Sequence, residues 1–224
     1  AGATGVGIDV WGGLVQGERV ALVDCSAVGY PAAAIAVSHR IVYVDGSHDL
    51  VAPGHVALQQ CIMVGNSGDG PASAVYCDGE SWALLASSIV AFNGPGPALY
   101  WDQPHPWTHF ETTCSNFFAN TGGNAGGELE SPLGQGSNFE ADPLFCDAIA
   151  GDYRLDGESP CLPGHHDCGV QIGAFGWGCG DLVPIALASF TATPAAGAVD
   201  LAWEADALAD FRLTGTRDAA SWDV

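Results

Sequence analysis

The chain has 224 residues, with no Lys, 5 Arg and 26 Asp plus Glu, which gives a formal net charge of −21. Nucleic acids and anionic lipid surfaces are both bound through clustered Lys or Arg, so this composition excludes both partners. The 31 Gly and 13 Pro residues stand between short apolar runs and favour short strands with tight turns. We therefore predict an all-β protein with a solvated acidic surface, on which calcium sites are the alternative use of the charge.

The cysteines indicate the compartment. Eight are present and none forms a C-x-x-C pair, a pattern typical of disulfides and core thiols rather than of zinc or redox chemistry. This predicts an oxidising location, either secreted (extracellular) or at the cell surface. The longest apolar stretch, residues 31–37, is too short to span a bilayer, so no membrane insertion is expected. A chain of this size buries its own core, and no cofactor is expected.

A nine-residue segment recurs every 27 residues, at 58–66, 85–93 and 112–120. Its last residue is Asn66, Asn93 and Asn120 in turn. Because Asn tolerates the left-handed backbone conformation and can bond to the same turn of the next repeat, we predict a structural asparagine ladder. Residues 20–25 resemble residues 56–61 at a spacing of 36, which predicts nine inserted residues within 38–55.

Each repeat carries at least two strands. After each Asn comes a turn with Gly or Pro and then a short apolar run, at residues 74–77 and 98–101. A unit of this length without helical periodicity cannot bury its own apolar face, whereas stacked units bury one another's. The repeat therefore predicts a β-solenoid.

The closing segments 139–146, 151–155, 159–161 and 172–175 resemble the end motif of right-handed parallel β-helix (pectin-lyase-like) proteins of secreted bacterial type. The resemblance covers about residues 5–180 and implies a right-handed parallel β-helix with a C-terminal cap. Gln171 stands where this family often has an acidic residue. At least one disulfide is predicted in the cap, with the pairing left open among Cys146, Cys161, Cys168 and Cys179. Cys25 and Cys61 are predicted to be stacked core thiols or a bridge between coils.

The pattern changes after residue 180. Residues 185–192 and 199–203 alternate as strands, and residues 211–213 begin a third. This resembles the start of a fibronectin type III or immunoglobulin-like sandwich, which needs about 100 residues. We predict two domains: a β-helix with its cap over 1–180, and a linker with a partial β-sandwich over 181–224.

The insertion is the best candidate binding segment because it alone combines Arg, His and acidic groups. Long connections on a solenoid usually form its binding face, so Arg40, Asp45 and His48 are predicted binding residues, with Trp101 as a stacking residue. The alternative for this segment is a strand pair with a solvated turn at residues 45–46. Other aromatic residues could either stack on sugar rings or fill the interior: Trp82, Tyr100 and Trp107.

No metal site is predicted. His105 and His109 lie near Glu111, but Pro104 and Pro106 disfavour the helix that would bring both imidazoles to one face. A second acidic and histidine-containing segment is predicted to be a solvated loop: His165, His166 and Asp167.

The alignment of the repeats predicts which side chains lie side by side on neighbouring coils, and so whether an active site can form there. The resemblance implies that enzymes of this fold place carboxylates from neighbouring coils on one strand face. The column before the repeated Cys carries Asp24, Gln60, Ser87, and Thr113 or Cys114, with a single carboxylate, so no catalytic residue is predicted. We predict a non-catalytic extracellular scaffold, glycan-binding or adhesive, with an extracellular or cell-surface polysaccharide as partner. The alternative is the C-terminal part of a polysaccharide lyase or hydrolase whose active site lies on preceding coils.

Overall fold

A computed structural model describes residues 7–44, 48–179, 187–195 and 198–205. All regular elements in this part of the chain are strands, and the chain divides into two compact units, Ala1–Cys179 and Gly180–Val224. The strands in chain order are β1 (Ile8–Trp11), β2 (Gly13–Glu18), β3 (Ala21–Val23), β4 (Ser26–Ala27), β5 (Ile35–Ser38), β6 (Arg40–Val44), β7 (His48–Ala52), β8 (Gly54–Gln59), β9 (Ile62–Val64), β10 (Ser67–Gly68), β11 (Val75–Cys77), β12 (Trp82–Ala86), β13 (Ile89–Ala91), β14 (Leu99–Trp101), β15 (Phe110–Thr113), β16 (Asn116–Phe118), β17 (Ala125–Gly127), β18 (Phe145–Asp147), β19 (Asp152–Leu155), β20 (Leu187–Ala195) and β21 (Ala198–Ala205).

Three parallel sheets make up most of the first unit. Sheet A has the order β1-β5-β11-β14-β17, sheet B the order β15-β12-β8-β2, and sheet C the order β16-β13-β9-β3. The chain passes through A, B and C in that order four times and then returns to A. Ala83 pairs with Val56 on one side and Phe110 on the other, so the 27-residue spacing of the sequence is the spacing of paired strands in sheets B and C after the first passage.

The first and second strands of sheet B are separated by more residues than the sequence alignment predicted. Val20 donates its backbone N–H to Cys61, a separation of 41 residues, whereas Cys61 lies 27 residues from its own next partner, Ser88. The predicted spacing of 36 is therefore wrong, because it matched Cys25 with Cys61 although Cys25 lies beside Asn66. The extra residues form the antiparallel hairpin β6–β7, which falls within the predicted 38–55 segment. Its predicted turn at 45–46 lies outside the described residues.

Two corners of each passage are made by single residues in the left-handed conformation, a conformation that costs a non-glycine residue about 1–2 kcal/mol. The corner between sheets B and C is formed by Arg19, Gln60, Ser87 and Cys114, with φ between 47° and 56°. The corner after sheet C is formed by Asp24, Gly65, Phe92 and Ala119, with φ between 50° and 68°. Most of these amides donate to the next strand's carbonyl, as Ser87 does to Thr113 at 2.9 Å. Stacking thus stabilises the corners.

An asparagine ladder follows the second corner. Nδ2 of Asn66 donates to Oδ1 of Asn93 at 2.9 Å, and Nδ2 of Asn93 donates to Oδ1 of Asn120 at 3.0 Å. The backbone N–H of Asn66 and of Asn93 also donates to the Oδ1 of the following Asn. Since Asn66 and Asn93 are fully buried, these bonds satisfy groups that water does not reach.

A second ladder at the first corner was not predicted from the sequence, because its members differ in residue type. The backbone N–H of Cys61 donates to Oγ of Ser88, that of Ser88 to Oγ of Ser115, and that of Ser115 to Oδ1 of Asn138. Each position needs only a short side chain with an acceptor. Chemical identity is therefore not required for the repeat.

Sheet C is buried on both faces. Met63, Val90 and Phe117 point into the core shared by the three sheets, while Ile62 and Ile89 point outward into a second apolar cluster. The outer partners in this cluster come from residues 139–179, which we call the C-terminal strap: Leu155, Cys161, Ile172 and Ala174. The resemblance placed this motif at the end of the β-helix. Phe139, at its start, does pair with Asn116 beyond the last strand of sheet C, whereas later residues run back along the outer side of the sheet. Leu129 and Leu133 pack against the first core cluster.

Close contacts fix the strap on sheet C. The backbone N–H of Gly173 donates to the carbonyl of Ser87 at 2.8 Å, and Nε of Arg19 donates to the carbonyl of Ala174 at 3.2 Å. A Cβ at Gly173 would stand 2.6 Å from Cδ1 of Ile89. The strap therefore needs glycine at this crossing point.

Two disulfides hold the strap, Cys146–Cys179 within it and Cys114–Cys168 between the strap and the sheet B–C corner. The prediction of at least one disulfide among the four cysteines is confirmed by Cys146–Cys179. Of the other candidates, Cys161 is a buried thiol, and Cys168 pairs with Cys114, which lay outside the predicted set. Cys161 stays a thiol because it fills the apolar cluster between sheet C and strap. Burial raises the pKa of this thiol to about 12, so it remains protonated at neutral pH.

The second unit contains one antiparallel pair in its described part, β20 with β21. The predicted strands at 185–192 and 199–203 overlap these two, and the third, at 211–213, lies outside the described residues. No helix in the described chain is both long and apolar enough to cross a membrane.

Candidate functional site

The predicted binding segment is only partly described. Arg40 is exposed at the start of β6, with its guanidinium carbon 5.8 Å from the ring centroid of Trp11, a cation–π contact. His48 is the first residue of β7, and Asp45 lies outside the described residues. The structure therefore gives a side-chain contact for Arg40 alone among the three.

Trp101 lies on sheet A rather than beside the hairpin. It is half-buried against the core, and its ring meets Phe110 edge-on at 6.5 Å between centroids. Its Nε1 is buried with no hydrogen-bond partner in the described residues. Trp101 thus packs against the core with part of its surface exposed, and its role as a stacking residue stays a prediction.

Polar groups near the start of the hairpin satisfy one another. Nδ1 of His39 lies 2.7 Å from Oδ2 of Asp78, which also accepts the backbone N–H of His39. The Tyr76 hydroxyl donates to Asp102 at 3.0 Å. Burial, together with the Asp102 carboxylate, raises the pKa of Tyr76 above its usual value. These two pairs link neighbouring strands of sheet A at their C-terminal ends.

The histidine pairs contact aromatic rings. His105 stacks on Trp107 at 3.7 Å between centroids, whereas His109 meets Trp82 at 5.0 Å, so the two imidazoles have different neighbours. In the strap, Nδ1 of His165 bonds to the carbonyl of Ser159, and His166 stacks on Phe139. No group of three or more His, Cys, Asp or Glu in the described part of the chain is arranged to hold a metal ion.

The predicted carboxylate column also changes with the register. Asp24 belongs to the corner after sheet C, whereas Gln60 and Ser87 belong to the corner between B and C, where the first passage contributes Arg19. The column before the repeated Cys therefore has no carboxylate, rather than one.

The outer face of sheet B carries an exposed row of rings; the sequence analysis named Trp82 as a candidate for sugar stacking but missed its alignment with two histidines. Trp82 is 39% exposed, stacks on His55 at 5.4 Å and meets His109 edge-on at 5.0 Å. Side chains alternate across a strand, so Ala83 and Leu85 point into the core while Trp82 and Leu84 point outward. His55, Trp82 and His109 are spaced by 27 residues, which was the available signal. The uninterrupted apolar run of β12 concealed the alternation.

Two adjoining hollows lie beside this ring row. The first, of about 410 Å³, crosses β2, β8 and β12 and is lined by side chains that include Gln16, Glu18, Gln59 and Leu84. The second, of about 480 Å³, lies beyond β15 and is lined by residues that include Trp101, Glu111, Glu128 and Glu130. Leu84 of the first hollow pairs with Glu111 of the second, so the two hollows lie on neighbouring strands of the sheet face that carries Trp82. We call this outer face of sheet B, with its two hollows, the sheet B groove.

The groove offers an apolar ring, amides, hydroxyls and carboxylates on an open surface. This combination suits binding of a long hydroxylated ligand better than enclosure of a small one. Comparison with known protein families, with characterised proteins and with solved structures finds no match to this chain.

Proposed function

We propose that this protein is an extracellular right-handed parallel β-helix scaffold that binds a polysaccharide along the sheet B groove without cleaving it. The observation that carries the proposal is the exposed Trp82 ring, held between two imidazoles on an open sheet face. A ring held by stacked neighbours is pre-organised, so little side-chain entropy is lost when a sugar stacks on it.

The β-helix part of the proposal is supported by the sequential passage through three parallel sheets and by the two hydrogen-bonded ladders. Connections between parallel strands of one sheet are right-handed in nearly all proteins, which supports that hand here. The extracellular part is supported by two disulfides, which persist in oxidising compartments. The β20–β21 pair is proposed as the beginning of a fibronectin type III or immunoglobulin-like sandwich.

The groove chemistry supports a sugar polymer. The apolar C–H face of a pyranose packs on an indole ring, while its hydroxyls bond to side-chain amides and carboxylates, here Gln16, Gln59 and Glu111. Neighbouring strands are about 4.8 Å apart, so four strands present evenly spaced contacts along about 15 Å. A repeating ligand matches this repeating surface.

A hydrolytic alternative has one observation in its favour. Glu111, Glu128 and Glu130 line the same hollow, and glycoside hydrolysis uses a pair of carboxyl groups. Product release from the polymers that bind distinguishes the two functions, because a scaffold retains its ligand intact.

The test is binding of purified protein to a panel of soluble pectin, alginate, neutral β-glucan and amino-sugar polymers by affinity electrophoresis. We expect retardation by at least one polymer and its loss in Trp82→Ala. The matched control is Trp177→Ala, since Trp177 is 75% exposed on the strap. Equal binding by wild type and Trp82→Ala, or binding lost equally in both variants, would contradict the proposal.

A further inference from the structure

Charge distinguishes the sheet B groove from a neutral sugar site. Among the described residues that line its two hollows, four are glutamates and none is Arg, Lys or His; the glutamates are Glu18, Glu111, Glu128 and Glu130. Arg19, which follows Glu18, reaches the other way and bonds to the strap at Ala174. The two hollows are therefore lined by acidic and not by basic side chains, on a chain of net charge −21, while His55 and His109 flank Trp82 on the same face.

We propose that the ligand of this groove is a polysaccharide with free amino groups, such as a glucosamine polymer. This inference rests on the proposed function, which supplies the site, and adds the charge class of the ligand. An ammonium group 4 Å from a carboxylate gains about 1 kcal/mol in bulk water and more where the pair is partly shielded. Several such contacts discriminate strongly between an amine and its acetylated form, while uronate polymers are repelled.

The positions of ring and carboxylate suit one sugar unit. Glu111 stands one strand over and two residues along from Trp82, because Leu84 pairs with Glu111. Diagonal neighbours of this kind have Cβ atoms about 7–8 Å apart. A sugar stacked on Trp82 can thus direct an amino substituent toward Glu111, and the next unit extends toward the hollow of Glu128 and Glu130.

A lysine-rich peptide has the same charge but lacks a backbone partner here. Extended peptides gain most of their affinity by pairing with a strand edge, whereas the groove crosses four strands that are already paired with one another. Stacking and side-chain bonds to ring substituents therefore favour the sugar over the peptide.

The test is calorimetric titration of the full chain with a glucosamine hexamer and, as the matched neutral ligand, an N-acetylglucosamine hexamer, at pH about 6.5 and low salt. We expect the amine hexamer to bind about 10-fold or more tightly than the acetylated one, with the difference removed by about 0.5 M salt. Glu111→Gln and Glu128→Gln should each reduce the difference, while Glu158→Gln on the strap should leave it unchanged.

The outcomes separate this inference from the proposed function. Equal affinity for the two hexamers, with Trp82→Ala abolishing both, overturns the amino-sugar assignment and leaves the polysaccharide scaffold standing. Binding of neither hexamer nor any polymer overturns both. Tight binding of a lysine hexapeptide that Glu111→Gln weakens, without binding of the amine hexamer, overturns the assignment in favour of a basic peptide.

Discussion

Sheets B and C are built from the same repeat, yet one faces solvent and the other does not. On β13 of sheet C all three residues are buried, because the C-terminal strap covers the outer side of the sheet. On β12 of sheet B the outward residues Trp82 and Leu84 are each 39% exposed. The repeat gives the strands of both sheets an outward face, so what distinguishes a covered flank from an open one is the segment laid over it.

The largest effect should come from releasing the strap. Cys114–Cys168 and Cys146–Cys179 close loops of 54 and 33 residues, and each closure is worth about 4 kcal/mol if disulfides act by reducing the entropy of the unfolded chain. We expect reduction to lower the denaturant midpoint sharply and to increase binding of a hydrophobic dye to the newly exposed sheet C. An unchanged midpoint after complete reduction would show that packing alone holds the strap. Cys25→Ser is the matched control, since Cys25 lies in neither bridge.

The next prediction compares the loss of stability when an aliphatic side chain is truncated to alanine on sheet C and on sheet B. Ile89→Ala removes a fully buried side chain between sheet C and the strap and should cost about 2–5 kcal/mol in free energy of unfolding. Leu84→Ala on the open face of sheet B should cost far less, since much of that side chain already contacts water. Urea unfolding of the two variants measures the difference. Equal losses would mean that sheet B is also covered.

A smaller loss of stability is expected from a substitution at Gly173, where the strap crosses sheet C. Gly173 and Gly164 have φ of +91° and +90°, so alanine strains the backbone equally at both. Only at Gly173 does the new Cβ meet a neighbour, Ile89, whereas nothing lies within 4 Å at Gly164. We expect Gly173→Ala to be the more destabilising by about 1–3 kcal/mol. Similar melting curves for both variants would contradict the close packing described here.

Removing one side chain of the asparagine ladder should cause a comparable loss of stability, with a more local effect on the backbone. Asn93→Ala leaves the buried backbone N–H of Asn66 without its acceptor and should cost about 1–3 kcal/mol. Ser88→Ala removes the matching acceptor for Cys61 in the second ladder. Amide hydrogen exchange should show faster exchange at Asn66 in the first variant and at Cys61 in the second. Exchange unchanged at both amides would mean that the ladders are not needed for protection.

The smallest effect on stability, and the largest on function, is expected at Trp82. Trp82→Ala should change the free energy of unfolding little, since the ring is substantially exposed, while abolishing polysaccharide binding. A large loss of stability would identify Trp82 as a structural residue and weaken the contrast between the two sheets. The circular dichroism melting curve and the binding assay, made on one preparation, separate these results.

The amino-acid sequence by itself determined the repeat and the strand class. The 27-residue spacing predicts which strands pair, because a periodic backbone brings identical positions together whatever their side chains. It also predicts the alignment of Asn66, Asn93 and Asn120, which bond to one another. The sequence prediction failed where the repeat is interrupted. The hairpin β6–β7 lengthens the spacing between the first two strands of sheet B, and matching Cys25 to Cys61 therefore gave a spacing of 36 residues instead of 41.

Only the tertiary structure decided which face is open. Cys114 pairs with Cys168 across 54 residues, and Gly173 packs on Ile89 across more, so both contacts depend on how far the strap travels back along sheet C. Local patterns carry no information on such distances, because strand alternation is the same on a covered face and an exposed one. Trp82 and Ile89 are both apolar residues in short strands, and it is the path of the strap that buries one and leaves the other available to a ligand.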